Sequence, residues 1–435
     1  MEQDLTTGSV FKRIVYFSLP YLLSYFLQTL YGMADLFITG QFYGVDTITA
    51  VSNGSQIMHM MTVIIVGLAM GTTVTIGHSV GAKCMEQAEK IVGNTITLFM
   101  GIAVAFTVIL VVLVKPIVVL IATPQEAVAG TSIYLLICFI GIPFITAYNI
   151  ISSIFRGLGD SKSPMYFIGI ACVMNIALDY LFMGAFHMGA AGVLVALWVI
   201  RRRKTGISLK KSDFKIERAV IGQVLKIGIP VALQDGFIQV AFMIITVIAN
   251  SRGVSDAAAV GVVEKVISAL FIVPSSMLAT VSALSAQNLG AGKEKRATDT
   301  LHYATVITTI YGMIVAVLIQ FIAENVVGIF TSDTTVVTMG SAYIRSYIWD
   351  CIFAGIHFSF SGYFAACGKS YIGFLHNIIS ITFVRVPGSY LASKYFTDTL
   401  YPMGLAAPAG SLVSVAICVT AFILLKRKSR VAQTA

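Results

Sequence analysis

Stretches of about 20 consecutive apolar residues recur along this chain, and no other feature limits its fold so strongly. A helix rising 1.5 Å per residue needs about that length to cross roughly 30 Å of hydrocarbon. Such stretches lie near 14–38, 51–76, 91–114, 132–154, 164–186, 224–249, 257–284, 300–323, 341–366, 371–392 and 404–425. Only 11% of the 435 residues are charged, against roughly 25% in an ordinary soluble domain, too few to cover a water-facing surface. An ordinary cytosolic enzyme and a disordered scaffold are both excluded.

A further stretch, 188–200, has 13 residues before Arg201-Arg202-Arg203-Lys204, enough for about 20 Å of helix. The loop charges decide whether it counts as a crossing. If it crosses, 22 Lys and Arg residues share one side with both chain ends, and Lys115, Arg252 and Lys394 face the other, leaving aside Lys226, Lys265, Arg345 and Arg385 within or at the edges of spans. If it does not, the basic loops of the second half, with Lys293, Lys295, Arg296 and Lys426-Arg427-Lys428, fall on the outside. The positive-inside rule therefore predicts an all-α membrane protein with twelve transmembrane helices, the sixth shortened, and both termini cytoplasmic.

The same placement explains the net charge of +9: basic residues occupy short gaps between spans, not a groove for phosphates, so nucleic acid is not an expected partner. The six cysteines are scattered with no CxxC pair and read as buried thiols, not a disulfide framework or zinc site. Met1-Glu2-Gln3-Asp4 lacks a basic n-region, and the first apolar stretch is too long for a signal h-region, so the first span is expected to be retained.

The two halves resemble each other at a fixed interval. Ser18-Leu19-Pro20 recurs 210 residues on as Gly228-Ile229-Pro230. Val80-Gly81-Ala82-Lys83, with Glu86 and Ala88, recurs 209 residues on as Leu289-Gly290-Ala291-Gly292, with Glu294 and Ala297. Phe155 and Gly159-Asp160-Ser161 recur, again at 209, as Phe364 and Gly368-Lys369-Ser370. An even number of crossings per copy makes the copies enter from the same side, related by a pseudo-two-fold axis along the membrane normal. The expected organisation is a six-helix lobe over 1–205, a basic cytoplasmic linker over 206–218 and a second six-helix lobe over 219–435. That is the plan of an alternating-access transporter. The repeat also exposes a shortening: Gly189 precedes its basic stop by 12 residues, the matching Gly404 by 22.

Ionisable groups inside spans are costly, and each is a candidate functional residue. Asp35 lies late in the first span, fifteen residues after Pro20; an interfacial acid is the plain alternative. Asn175 and Asp179 in the fifth span are spaced i,i+4 and share a helical face. An amide beside a carboxylate suits a proton-coupled carrier, and it also suits a hydrogen bond that merely joins helices. In the second half Asp235 follows Pro230, Glu264 stands near the start of the eighth span, and Asp350 lies inside the tenth. Glu264 has Lys265 as a neighbour to pair with. Arg385, two residues before Pro387, reads as a counter-charge for an acid or as a ligand of carbonyls freed at the proline. The acids are not duplicated between the halves, so coupling is expected to be asymmetric. His59, His357 and His376 read as packed polar residues, since no carboxylate or cysteine keeps metal-ligand spacing with them.

Two motifs mislead. Gly77-His78-Ser79-Val80-Gly81 spells a nucleophile elbow but follows a membrane helix, and its copy at 286–290 has no serine. Gly368-Lys369-Ser370 evokes a phosphate loop, yet the preceding glycine, Gly362, is one residue out of register. Energy for transport must come from an ion gradient or a partner ATPase, and no ATPase subunit is indicated.

Taken together, Pro20, the stretch from Tyr31 to Gly44 with Asp35, the Gly81-Ala82 loop and its Gly290-Ala291 copy, the run from Phe155 to Ser161, and Asn175 with Asp179 resemble the multidrug and toxic compound extrusion (MATE) family over about residues 10–428. The resemblance implies two six-helix lobes in the inner membrane that export organic cations or amphiphilic drugs against H⁺ or Na⁺, with no other cofactor. It matches Asp35, Asn175 and Asp179 to the N-lobe cation site of the DNA-damage-inducible-type branch. It matches Asp235, Glu264 and Asp350 only to the neighbourhood of the C-lobe acids of the norfloxacin-exporter type; with Arg385, read from the residues, they make the possible C-lobe polar site. The chain departs from the family plan in its short sixth span. The rival readings are a flippase for a lipid-linked saccharide and a transport-inactive membrane protein. A flippase would line its cleft with several basic residues for pyrophosphate, where here Arg385 and Arg345 stand nearly alone.

Overall fold

The computed structural model describes the backbone of residues 4–42, 45–120, 123, 125–181 and 210–434, and the side chains of 4–30, 51, 54–119, 123, 125, 127–173 and 210–427. The short stretch 188–200 lies outside the described residues. Among the described residues there is no strand, as expected where lipid leaves no partner for unpaired backbone. The helices are α1 (Val10–Phe42), α2 (Val45–Gly81), α3 (Met85–Leu120), α4 (Gln125–Ile140), α5 (Ile142–Gly157), α6 (Lys162–Leu181), α7 (Arg218–Asn250), α8 (Val254–Leu270) and α9 (Ile272–Gly290). They continue as α10 (Glu294–Gly328), α11 (Thr334–Tyr347), α12 (Asp350–Ala366), α13 (Ser370–Ser380), a π turn (Ile381–Arg385), α14 (Val386–Tyr395), α15 (Tyr401–Gly404) and α16 (Ala406–Thr434). Each apolar stretch read from the sequence lies on one helix or a broken pair, as far as the described residues run. Six of the described helices are long and apolar enough to cross a membrane, and a seventh span is made if α4 and α5, bent by 47°, count as one.

The described chain forms two compact units. The first comprises Met1–Thr7, Val15–Ala232 and Ala286–Gly292; the second comprises Gly8–Ile14, Leu233–Ser285 and Lys293–Ala435.

In the first unit the repeated loops end helices in the same way. Gly159 has φ +90°, its N–H bonds the Arg156 carbonyl at 3.0 Å, and the Asp160 N–H bonds the Phe155 carbonyl at 2.8 Å. This is a Schellman cap, which satisfies carbonyls that α5 would otherwise leave unpaired. The Asp160 carboxylate then accepts from the N–H groups of Lys162 and Ser163 at 2.9 and 3.0 Å and starts α6. After α2 the left-handed position falls on Lys83, at φ 60°, where a side chain is strained. Just before it, Gly81 lets α2 meet the last turn of α9: a Cβ there would overlap the Gln287 carbonyl, and one at its repeat partner Gly290 would overlap the His78 carbonyl. Backbones this close are held by dispersion over small residues, the usual membrane solution. Gln287 completes the corner, its amide donating to the Gly157 carbonyl at 2.9 Å.

The linker lies against α3 of this unit. Asn94 donates to the Asp213 carbonyl at 3.2 Å and accepts from the Glu217 N–H at 2.6 Å, while Thr97 donates to the Phe214 carbonyl at 3.1 Å.

In the second unit the repeat of the Schellman cap recurs at Gly368, φ +68°, with the Lys369 N–H on the Phe364 carbonyl at 2.8 Å. α10 and α12 approach through Gly312 and Gly355, where a Cβ would crowd the Ile352 backbone and the Thr308 side chain. Arg252 fixes the loop after α14: its Nε donates to Asp256 at 2.6 Å and its two amino groups reach the carbonyls of Ser393, Phe396 and Thr397 at 2.9–3.0 Å. Only a planar fork of donors satisfies so many acceptors, so lysine is no substitute there.

The glycine contact and the strained lysine predict opposite effects at neighbouring positions. Gly290→Ala is expected to lower stability by about 2 kcal/mol through backbone overlap, and Lys83→Gly to raise it by about 0.5–1 kcal/mol. Unfolding of the purified variants in detergent checks both signs.

Candidate functional site

The sequence places Asp35 on α1 and both Asn175 and Asp179 on α6. Their side chains lie outside the described residues. Their helices are neighbours within the first unit: the Cys172 thiol reaches the Leu27 carbonyl at 3.8 Å, one turn before Asn175, and Gly169 faces the Leu27 side chain. On the same unit Arg156 of α5 is buried with its guanidinium 4.1 Å from the ring centre of Tyr21.

The second unit carries a polar centre built by six elements. The break between α11 and α12 puts Tyr347 at the end of one helix and Asp350 in the first turn of the next, where unpaired N–H groups favour a carboxylate. Pro387 has no N–H to donate, and the chain accommodates it with a π turn in which the Val386 N–H bonds the Ile381 carbonyl. Arg385, the last residue of that turn, is buried at 9% exposure. One of its amino groups donates to the Tyr347 hydroxyl, and its guanidinium lies 4.9 Å from the Phe242 ring centre and 5.5 Å from that of Tyr347.

Glu264 of α8 and Asp350 both lie within electrostatic reach of Arg385. Neither forms an ion pair with it: no carboxylate oxygen of either comes within 4.0 Å of its nitrogens. Glu264 accepts from the Thr246 hydroxyl of α7 at 3.3 Å, and its other oxygen is buried without a hydrogen bond. Asp350, 1% exposed, has the Ser411 hydroxyl of α16 beside it and one oxygen without a partner; the Arg385 Nε is likewise unbonded. Lys265 is exposed, so Glu264 turns to Thr246 and Arg385 and not to its chain neighbour.

Of the C-lobe candidates, then, Glu264, Asp350 and Arg385 are brought together, and Asp235 is not. It sits half-buried on α7, seven residues before Phe242, with no hydrogen bond or ion pair to the other three. Sequence reasoning missed Tyr343, Tyr347 and Phe242. The i,i+4 tyrosines, rings 5.6 Å apart, followed three residues later by Asp350, were the available signal. His357 and His376 pack ring to ring at 5.3 Å, with Ser361 bonded to His376 at 2.9 Å. Among the described residues no three His, Cys, Asp or Glu side chains converge as metal ligands.

The arrangement predicts that Tyr347→Phe, which leaves one guanidinium donor unmet, lowers stability by about 1–3 kcal/mol. Thermal melting in detergent checks it.

The MatE family profile matches residues 20–181 and again 230–391, two copies 210 residues apart. Over 415 residues the chain is 28% identical to the probable multidrug resistance protein YpnP of Bacillus subtilis, covering 92% of this chain and 93% of that protein. It is 25% identical to the probable multidrug resistance protein YoeA of the same organism, covering 95% and 93%. A solved outward-facing conformation of a multidrug resistance MATE family transporter of the MOP superfamily superposes with a TM-score of 0.89 at 19% identity, covering 100% of this chain and 99% of that one.

Proposed function

From the premise that this chain belongs to the MatE family, a family of transporters and not enzymes, we propose that it is a secondary antiporter of the inner membrane. It exports organic cations or amphiphilic drugs in exchange for H⁺ or Na⁺. That it is a multi-pass membrane protein follows from the family and from the apolar helices. The twelve-span count, the lobes over 1–205 and 219–435 joined by 206–218, and cytoplasmic termini belong to the proposal.

What supports this reading is that Asp35 falls on one, and Asn175 with Asp179 on the other, of two helices, α1 and α6, that touch at Leu27 and Cys172 in a chain of the MatE family. A cation shifts the inward–outward equilibrium only through different affinity for the two states. A carboxylate whose solvation changes over the cycle provides that difference. Substrate enters from the cytoplasm, the lobes rock outward, and a proton or Na⁺ taken up at Asp35, Asn175 and Asp179 drives its release. The names of the relatives, multidrug resistance proteins, support the substrate class.

Ethidium extrusion from liposomes containing the purified protein, under a pH gradient and separately a Na⁺ gradient, tests this. Asp179→Asn is expected to reduce gradient-driven extrusion by about tenfold or more while the protein stays folded. Extrusion unchanged in that variant overturns the N-lobe assignment. No extrusion by the unmutated chain under either gradient favours the flippase or the inactive reading, and lengthening the sixth stretch after Gly192 separates those two.

A further inference from the structure

The segment that leads into the first helix of each repeat is held by hydrogen bonds to a helix of the other repeat, and the two are held unequally. At the 210-residue interval of Pro20 and Pro230, residues 4–8 before α1 correspond to 214–218 before α7. The segment before α7 lies on α3: the Phe214 carbonyl accepts from Thr97 at 3.1 Å, and the Glu217 N–H donates to Asn94 at 2.6 Å. A Cβ on Gly93 would overlap the Asp213 carbonyl there. The segment before α1 is bound where α9 ends and α10, the counterpart of α3, begins. The Leu5 N–H donates to the Gln287 side-chain carbonyl at 3.4 Å, and the Asn288 amide donates to the Leu5 carbonyl at 3.5 Å. Arg296 donates to the Gly8 carbonyl at 2.7 Å, and Phe11 meets Tyr303 edge to face at 6.3 Å. Leu5, Gln287 and Asn288 belong to the first unit; Gly8, Phe11, Arg296 and Tyr303 belong to the second.

One apolar side chain anchors residues 4–8. Leu5 is 1% exposed, while Asp4, Thr7, Gly8 and Ser9 are all exposed. The Asp4 carboxylate accepts from the N–H and the hydroxyl of Thr6 at 2.8 and 2.7 Å, a local turn that does not depend on docking. Both bonds at Leu5 are longer than the usual 2.7–3.2 Å, whereas those of the segment before α7 lie within or below that range. The segment before α1 is therefore the one that detaches at smaller cost. Gln287 gives its detachment a consequence, because the same side chain that accepts from Leu5 donates to Gly157 at the end of α5. The start of α1 cannot move away from the α9–α10 junction until Leu5 comes out.

We propose that Asp4–Gly8 is a releasable strap that ties the start of α1 to the α9–α10 junction, and that the carrier opens to the cytoplasm only when Leu5 leaves its place beside Gln287 and Asn288. The segment before α7 stays bound to α3 throughout. The proposal rests on the antiporter reading, which places these helix ends at the cytoplasmic face, but its first test needs no transport.

Hydrogen exchange of the purified protein in detergent is followed by mass spectrometry for the unmutated chain, Gln287→Met and Leu5→Ala. Peptides covering 4–9 and 286–296 are expected to exchange at one common rate, slower than an unstructured chain and faster than α12. Both variants should raise that rate about tenfold or more and leave 211–217 and α12 unchanged. Unprotected exchange at 4–9 overturns the proposal, because the segment is then not docked. Exchange of 4–9 only together with α12 also overturns it, because the segment is then a fixed cap. In a second test, Ser9→Cys and Lys295→Cys, with the exposed Cys84 changed to Ser, are bridged by a short bis-thiosulfonate reagent. Ethidium extrusion is expected to fall about tenfold or more and to return on reduction. Undiminished extrusion by the bridged protein overturns the proposal. A protein that extrudes nothing before bridging counts against the antiporter reading alone, and the exchange result then decides the strap.

Discussion

In hydrocarbon no water is available to a backbone N–H or C=O, so each one must be paired inside the protein. Helix ends and irregularities among the described residues answer to that demand. Schellman caps at Gly159 and Gly368 pair the last carbonyls of their helices, and the Asp160 and Asp333 carboxylates take the first N–H groups of the next. The proline at 387 is the hardest case, because it removes a donor in mid-span. A π turn gives the Ile381 carbonyl a later partner, and Arg385, the last residue of that turn, is buried.

Close approach between helices depends on the same constraint. With lipid as apolar as leucine, burial of hydrocarbon drives little association, so packing relies on contact without intervening side chains. Gly81 with Gln287 and Gly290 with His78 make one reciprocal contact in the first unit, and Gly71 and Gly228 another, where a Cβ on either would meet the other helix's backbone. The repeated Gly-Ala loops thus recur because two helix ends meet backbone to backbone, a requirement that falls on both copies alike.

The spans, the repeat and the polar residues inside it were legible in the sequence because hydropathy and spacing report them directly. The breaks were not. The run 341–366 reads as one apolar stretch, yet it divides at Ile348-Trp349, and that division places Tyr347 and Asp350 on either side of Arg385's environment. Asp235 and Glu264 were both legible as acids inside spans, one after Pro230 and the other beside Lys265. Which of them faces Arg385 depends on helix rotation, and for Glu264 rotation is set by packing of α8 against α11 and α10, far along the chain. Likewise Arg385 and Pro387 were visible, but the π turn that joins their roles follows from three-dimensional hydrogen bonding.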